Sequence, residues 1–241
     1  MNAMATDIQR ILIPSLTHGV TLVREARAAA SRGLLVGFHG YLETAAIQME
    51  RLAAIPGSAQ WTLVSIEGLH RVYRGRSQDV VASWMTREDR EVAIADNLAY
   101  VAAALDEVPH DRSTRVVYAG FSQGVAMAFR AALLGRDRAH GIIAVGGDVP
   151  PELLGDSRLR YPPVCLARGA RDEWFTQAKF DADLAALTAR GAPLRPLLHE
   201  GAHEWNADVA TAAGEFLEQL ARDEGAEAMG PARDEGAEPQ K

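Results

Sequence analysis

Cysteine is almost missing from this 241-residue chain: the single one, Cys165, can form no internal disulfide. A fold held by cross-links is excluded, and a reducing compartment such as the cytoplasm is the expected setting. Cys165 lies in the apolar run 163–167 and reads as a buried strand residue rather than a reagent. Positive charge is also short, with 25 Lys and Arg against 32 Asp and Glu and a net charge of −7. That balance argues against general affinity for nucleic acid or an anionic membrane. No window approaches the ~18 uninterrupted apolar residues a spanning helix needs. The opening MNAMATDIQR lacks the basic stretch and apolar core of a signal peptide, so none is expected. What is present is a chain with 48% hydrophobic residues, long enough to bury one large core.

The stretch that organises it is RVVYAGFSQGVAMAFRAALL, residues 115–134. An apolar run over 116–119 predicts a strand, and an alanine-rich apolar segment after Gly124 predicts a helix. Between them stands G-x-S-x-G, Gly120 to Gly124, with Ser122 at the apex. This is the pattern of a nucleophile elbow, a turn so tight that the residues two before and two after the serine have no room for a side chain. It pushes the hydroxyl toward substrate and aims the free N–H groups of the helix start at the position where negative charge develops.

The remaining chain reads as strands alternating with helices. Residues 8–16 and 20–25 are short β-prone runs around Thr17, His18 and Gly19 and predict an opening antiparallel hairpin. Further strands are expected over 33–38, 61–66, 141–145, 163–168 and 193–198. Helices are expected over 45–55, along Ile94, Leu98, Val101, Leu105 and Val108 after a capping box at Thr86 and Asp89, after Thr176, and after an Asn206 N-cap. Residues 67–87 lose regular periodicity and are expected to form a loop walling the site. Strand–helix alternation predicts a single-domain α/β fold over 1–220, a mostly parallel sheet with helices on both faces and the N-terminal hairpin. The tail repeats ARDEGAE at 221–227 and 232–238; charged and poor in large apolar residues, 221–241 is expected to be disordered and without catalytic role.

A serine hydroxyl needs a base to take its proton, and that base needs an acid to hold its tautomer. In a parallel α/β sheet both belong on loops at the carboxyl ends of strands. Asp172 follows the strand at 163–168 and His203 follows the last strand, in the order Ser, Asp, His. Asp148, at the end of the 141–145 strand, is a rival acid. His199 is a rival histidine, though it stands inside the strand pattern. For the oxyanion, the expected donors are the backbone N–H groups of Gln123 and Tyr41, the latter in the His39-Gly40-Tyr41 loop. His39, Gly40, Trp84, Met85 and Trp174 are the expected substrate-binding residues.

GFHGYLE, the SWM around Trp84, GFSQG, Asp172 and the GAHEW histidine together resemble the phospholipase/carboxylesterase family of α/β-hydrolases, which includes the acyl-protein thioesterases. The resemblance covers roughly residues 10–220. It implies a serine hydrolase that needs no metal or other cofactor and cuts small-molecule esters or thioesters, without stable membrane insertion; a homodimer stays open. The chain departs from the family pattern at Leu42 and Glu43, where Gly-Asp is common, and at Glu173 to Phe175, where a Val-Pro pair follows the acid.

Two further patterns compete for attention. His199, Glu200 and His203 spell H-E-x-x-H, the signature of zinc peptidases, but that motif requires a helix. Pro193 and Pro196 just upstream and Gly201 within it oppose one. Arg71, Arg74 and Arg76 alternate near the expected rim, either as a solvated loop or as a holder for an anionic leaving group. A non-catalytic binding protein on a hydrolase fold is the remaining alternative.

Overall fold

The computed structural model describes residues 9–28 and 31–228, with 223–228 described in backbone only. Its centre is a seven-stranded sheet. In chain order the strands are β1 (Thr21–Arg24), β2 (Leu34–Phe38), β3 (Thr62–Ile66), β6 (Val116–Phe121), β7 (Ala139–Val145), β8 (Val164–Gly169) and β9 (Leu194–His199). They lie side by side as β1-β3-β2-β6-β7-β8-β9, all parallel except β1. A separate antiparallel hairpin joins β4 (His70–Tyr73) to β5 (Val80–Ser83).

β2 and β6 are buried along their whole length, which is why their sequences run apolar without alternation. Alternate residues still serve opposite faces. Phe38, Val116 and Tyr118 pack toward α2 (Arg90–Asp106), α3 (Gln123–Leu134) and α5 (Gln177–Ala189). Leu35, Val117, Ala119 and Phe121 pack toward α1 (Ala45–Ala54) and α6 (Ala207–Ala228). The short α4 (Pro151–Gly155) follows β7. The order of the strands turns at β2 and β6: connections run toward β3 and β1 on one side and toward β7, β8 and β9 on the other. Such a reversal opens a crevice at the carboxyl ends of the strands, where ligands bind in this class of sheet.

Three local expectations need correction. The N-terminal strand is antiparallel, but it pairs with β3, from Thr21 against Ile66 to Arg24 against Leu63, and residues 9–20 form no strand; residue 8 lies outside the described part. The free sheet edge is a better partner than a hairpin arm because β3 supplies a ladder and a buried face together. Within 67–87 the alternation of arginines with Val72 and Tyr73 belongs to the β4–β5 hairpin, exposed along β4. The capping box does not form: Asp89 has a left-handed backbone (φ 48°) and makes no cap, its carboxylate pairing with Arg10 instead. The Asn206 cap does form, Oδ1 accepting from Val209 N–H at 3.1 Å.

The last helix runs to Ala228, into the segment expected to be disordered; residues 229–241 lie outside the described part. Ala, Arg and Glu are good helix formers, and extending an existing helix needs no new nucleus.

Candidate active site

Ser122 stands between β6 and α3 with φ 52° and ψ −118°, a conformation that side-chain-bearing residues rarely adopt. The two elbow glycines show why the spacing is required. A Cβ on Gly124 would lie 2.1 Å from the Phe38 carbonyl oxygen, and one on Gly120 would lie 2.3 Å from the Gly124 carbonyl oxygen. The collisions are with backbone, so neither can be relieved by a rotamer change.

His203 and Asp172 come to the serine from the loops after β9 and β8. His203 Nε2 is 2.9 Å from Ser122 Oγ, and His203 Nδ1 is 2.8 Å from Asp172 Oδ2. Asp172 is only 4% exposed. Its other oxygen, Oδ1, accepts from the N–H groups of Trp174 at 2.8 Å and Phe175 at 2.9 Å. With Asp172 ionised, Nδ1 carries the proton that donates to it, and Nε2 is left with its lone pair toward the serine hydroxyl. The acid loop is fixed from behind by the buried Arg168, whose guanidinium donates to the carbonyls of Phe175 at 2.7 Å and Asp172 at 3.3 Å. The His203 ring rests against Phe121, ring centres 5.0 Å apart. It also passes over Gly146, where a Cβ would come within 3.2 Å of Cε1.

The rivals have other partners. Asp148 is on the rim, paired with Lys179 at 3.0 Å. His199 ends β9, buried, its Nδ1 accepting from Gly201 N–H and Asn206 Nδ2 at 3.1 and 3.0 Å. H-E-x-x-H therefore spans a strand end and a turn, and its two histidines share no helix face. Among the described residues no group of three or more His, Cys, Asp or Glu is placed to hold a metal ion.

In the loop after β2, Gly40 N–H donates to Glu43 Oε2, Leu42 N–H to the Ala82 carbonyl and Glu43 N–H to the Gly40 carbonyl. Tyr41 N–H is the remaining donor of the turn, and no partner for it exists among the described residues. The same holds for Gln123 N–H at the first position of α3, where a helix has no acceptor of its own. Leu42 takes a positive φ of 57°, which keeps the loop folded over the elbow. Glu43 also pairs with Arg51 through both oxygens, at 2.5 and 2.7 Å. Burial opposes the Glu43 charge, but Arg51 and Gly40 N–H hold its carboxyl below the usual range.

A pocket of about 400 Å³ opens beside Ser122. Trp84, Met85 and Trp174 line it, Trp174 at the rim and 76% exposed. His39 and Gly40 do not line it. His39 is wholly buried: Nδ1 donates to the Gly40 carbonyl at 2.7 Å while Nε2 accepts from Gly68 N–H at 2.9 Å, and burial lowers its pKa. It is a neutral strut holding two loops together. Trp84 is equally buried, its indole N–H donating to the His39 carbonyl at 2.9 Å. Arg71 and Arg74 donate to the carbonyls of His18 and Leu42, and none of the three alternating arginines lines the pocket.

Sequence reasoning missed two contributors. The Gln123 side chain accepts from Trp84 N–H at 3.0 Å and Ser83 Oγ at 3.2 Å, and donates to the Met85 carbonyl at 2.9 Å, clamping the pocket wall to the elbow helix. Arg130 lines the pocket from inside α3. Its spacing of four from Ala126 and eight from Ser122 was the available signal.

An elbow on a mostly parallel sheet, with loops converging at the strand ends, defines an α/β-hydrolase. The sequence model of the phospholipase/carboxylesterase family matches residues 81–217, and the chain belongs to that family. It is an esterase-like enzyme. Among solved structures it is similar to esterase PE8, at 21% identity and a TM-score of 0.67 over 85% of this chain and 100% of that one. It is also similar to Zea mays acyl-protein thioesterase 2, at 16% identity and a TM-score of 0.66 over 85% and 100%. For the Bacillus cereus carboxylesterase the values are 15% and 0.63 over 84% and 94%. At these identities the likeness speaks for the fold. No curated protein matches the chain in sequence. No helix among the described residues is long and apolar enough to cross a membrane.

Proposed function

We propose that the protein hydrolyses carboxylic esters or thioesters of small molecules through an acyl-enzyme on Ser122, with His203 as base and Asp172 as its orienting acid. The observation that carries this reading is the continuous hydrogen-bonded line from Ser122 Oγ through His203 to Asp172, at 2.9 and 2.8 Å, on a strained elbow.

Ser122 Oγ attacks the carbonyl carbon as His203 Nε2 takes its proton, and the imidazolium so formed is stabilised by Asp172. The carbonyl oxygen becomes an anion, received by the N–H groups of Tyr41 and Gln123, each typically worth about 3 to 4 kcal/mol at the transition state. Collapse of the tetrahedral species breaks the bond to the leaving oxygen or sulfur, which takes the proton from His203. Water then attacks the acyl-enzyme with the same base, releasing the acid and restoring Ser122. Burial pushes the Cys165 thiol up to about 12, so it offers no second nucleophile. That this single cysteine is free also fits a reducing compartment such as the cytoplasm. The repeated charged tail takes no part in the chemistry.

The experiment is turnover of p-nitrophenyl acyl esters and matching thioesters by wild type and Ser122→Ala, with fluorophosphonate labelling. Turnover and labelling by wild type alone are expected. A folded Ser122→Ala protein with undiminished turnover, or activity that EDTA abolishes and fluorophosphonate leaves intact, sinks the reading.

A further inference from the structure

The pocket beside Ser122 holds a buried cation that the ester chemistry does not use. Ser122, Ala126 and Arg130 succeed one another at helical spacing and all three face the pocket. Eight residues separate the serine from the arginine, about 12 Å along a helix axis. The arginine side chain leans back toward the helix start, which shortens the gap between guanidinium and hydroxyl.

Arg130 is 3% exposed. Its Nε and one terminal nitrogen both go to the same oxygen, Glu152 Oε1, at 3.0 and 2.9 Å. The other terminal nitrogen, NH1, meets among the described residues only the Met85 thioether at 3.6 Å, a weak acceptor. A pair serving structure alone would place two carboxylate oxygens against two guanidinium nitrogens. Here the second oxygen of Glu152 belongs to Arg90, at 2.7 Å, and Arg90 also lines the pocket. One carboxylate thus answers two guanidinium groups, while Lys179 and Asp148 neutralise each other on the rim. At this end of the pocket one positive charge is left unmatched by a carboxylate, beside a buried Arg130 N–H group that meets no oxygen among the described residues. Between that group and Ser122 the lining is apolar at Ala126 and Met85.

Resting on the hydrolase reading above, we infer that the pocket selects esters or thioesters bearing a carboxylate several bonds from the scissile carbonyl, with Arg130 NH1 as its receiver and Arg90 adding charge. The carbon chain between the two groups lies along Ala126 and Met85. The carboxylate belongs either to the acyl part or to the leaving group, and both place the same anion against the same guanidinium.

Two matched pairs separate these sources. The p-nitrophenyl monoester of adipic acid against p-nitrophenyl hexanoate tests the acyl side. The hexanoyl ester of 4-hydroxybenzoate against phenyl hexanoate tests the leaving group. Wild type is expected to favour the anionic member of one pair by about tenfold or more in kcat/KM, the scale of one contact to a charged group. Arg130→Gln leaves Glu152 paired with Arg90 and should bring that ratio to about one, whereas Glu152→Gln removes the counter-charge and should raise it. Circular dichroism checks that each variant folds, and Glu152→Gln carries the test should Arg130→Gln not fold. Equal or lower rates for the anionic member of both pairs in wild type overturn the inference, as does a preference that neither substitution moves. Turnover of the neutral esters keeps the hydrolase reading standing in those cases; absence of turnover for all four brings both down.

Discussion

Replacing Ser122 by glycine should leave a more stable protein than replacing it by alanine, the reverse of the usual order. The residue sits at φ 52° and ψ −118°, where a Cβ is strained and glycine is not. Holding a side-chain-bearing residue in such a region costs about 1–3 kcal/mol. Glycine at an ordinary position loses about 0.5–1 kcal/mol to alanine through its greater freedom in the unfolded chain. Both substitutions remove the hydroxyl and its 2.9 Å bond to His203, so that loss cancels between them. The difference left is about 0.5–2 kcal/mol in favour of Ser122→Gly, or about 1–8 °C in melting temperature for a chain of this size. Urea unfolding followed by circular dichroism, with thermal melts alongside, measures it; equal slopes in urea confirm that only stability changed. Alanine at or above glycine would refute the reasoning, because the elbow would then store no strain for Phe38, His39 and Gly124 to hold. Both variants should lack turnover, which makes the pair a test of strain separate from chemistry.

Two other predictions concern the walls of the site. Asp183 on α5 accepts from Val149 N–H at 3.0 Å, and burial, with Asp148 nearby, raises its carboxyl to about 6. Because the folded value lies above the ordinary one of 3.8, the charged form is disfavoured in the fold and stability falls as pH rises from about 4 through 6. At full weight that gap is worth about 3 kcal/mol, which screening by water reduces to about 1–2. Asp183→Asn keeps an acceptor for Val149, so its melting temperature should match wild type at low pH and exceed it at alkaline pH; a difference independent of pH would remove burial as the cause. Gln123→Ala strips three hydrogen bonds from the wall but retains the backbone N–H at 123. It should lower stability by about 2 kcal/mol, with kcat falling far less than the ~10²–10³ lost with an oxyanion donor. Urea unfolding and p-nitrophenyl ester kinetics on one preparation read both quantities.

What could be read from the chain alone were features set by local backbone requirements. Gly120 and Gly124 betray the elbow because any Cβ there meets backbone within about a residue's own reach, at 2.3 and 2.1 Å. The parallel strands betray themselves as unbroken apolar runs because both faces are covered. Ser122, Asp172 and His203 could be picked out because each follows a strand, and the carboxyl ends of parallel strands share one edge whatever the details of packing.

Packing alone decided the rest. The partner of β1 depended on which sheet edge was free, and the β4–β5 hairpin, exposed along β4, had too little apolar alternation to announce itself. His39 looked like a substrate contact until the Gly68 and Gly40 backbones took both ring nitrogens. Arg130 is one charged letter in an apolar helix, and only the arrival of Glu152 and Met85 from other segments turns it inward and leaves one nitrogen short of an oxygen. Patterns of period two and 3.6 tell which face of an element is buried, not what that face meets. The three residues proposed to react were therefore written into the sequence, while the charge and shape of the pocket beside them came from helices and loops distant along the chain.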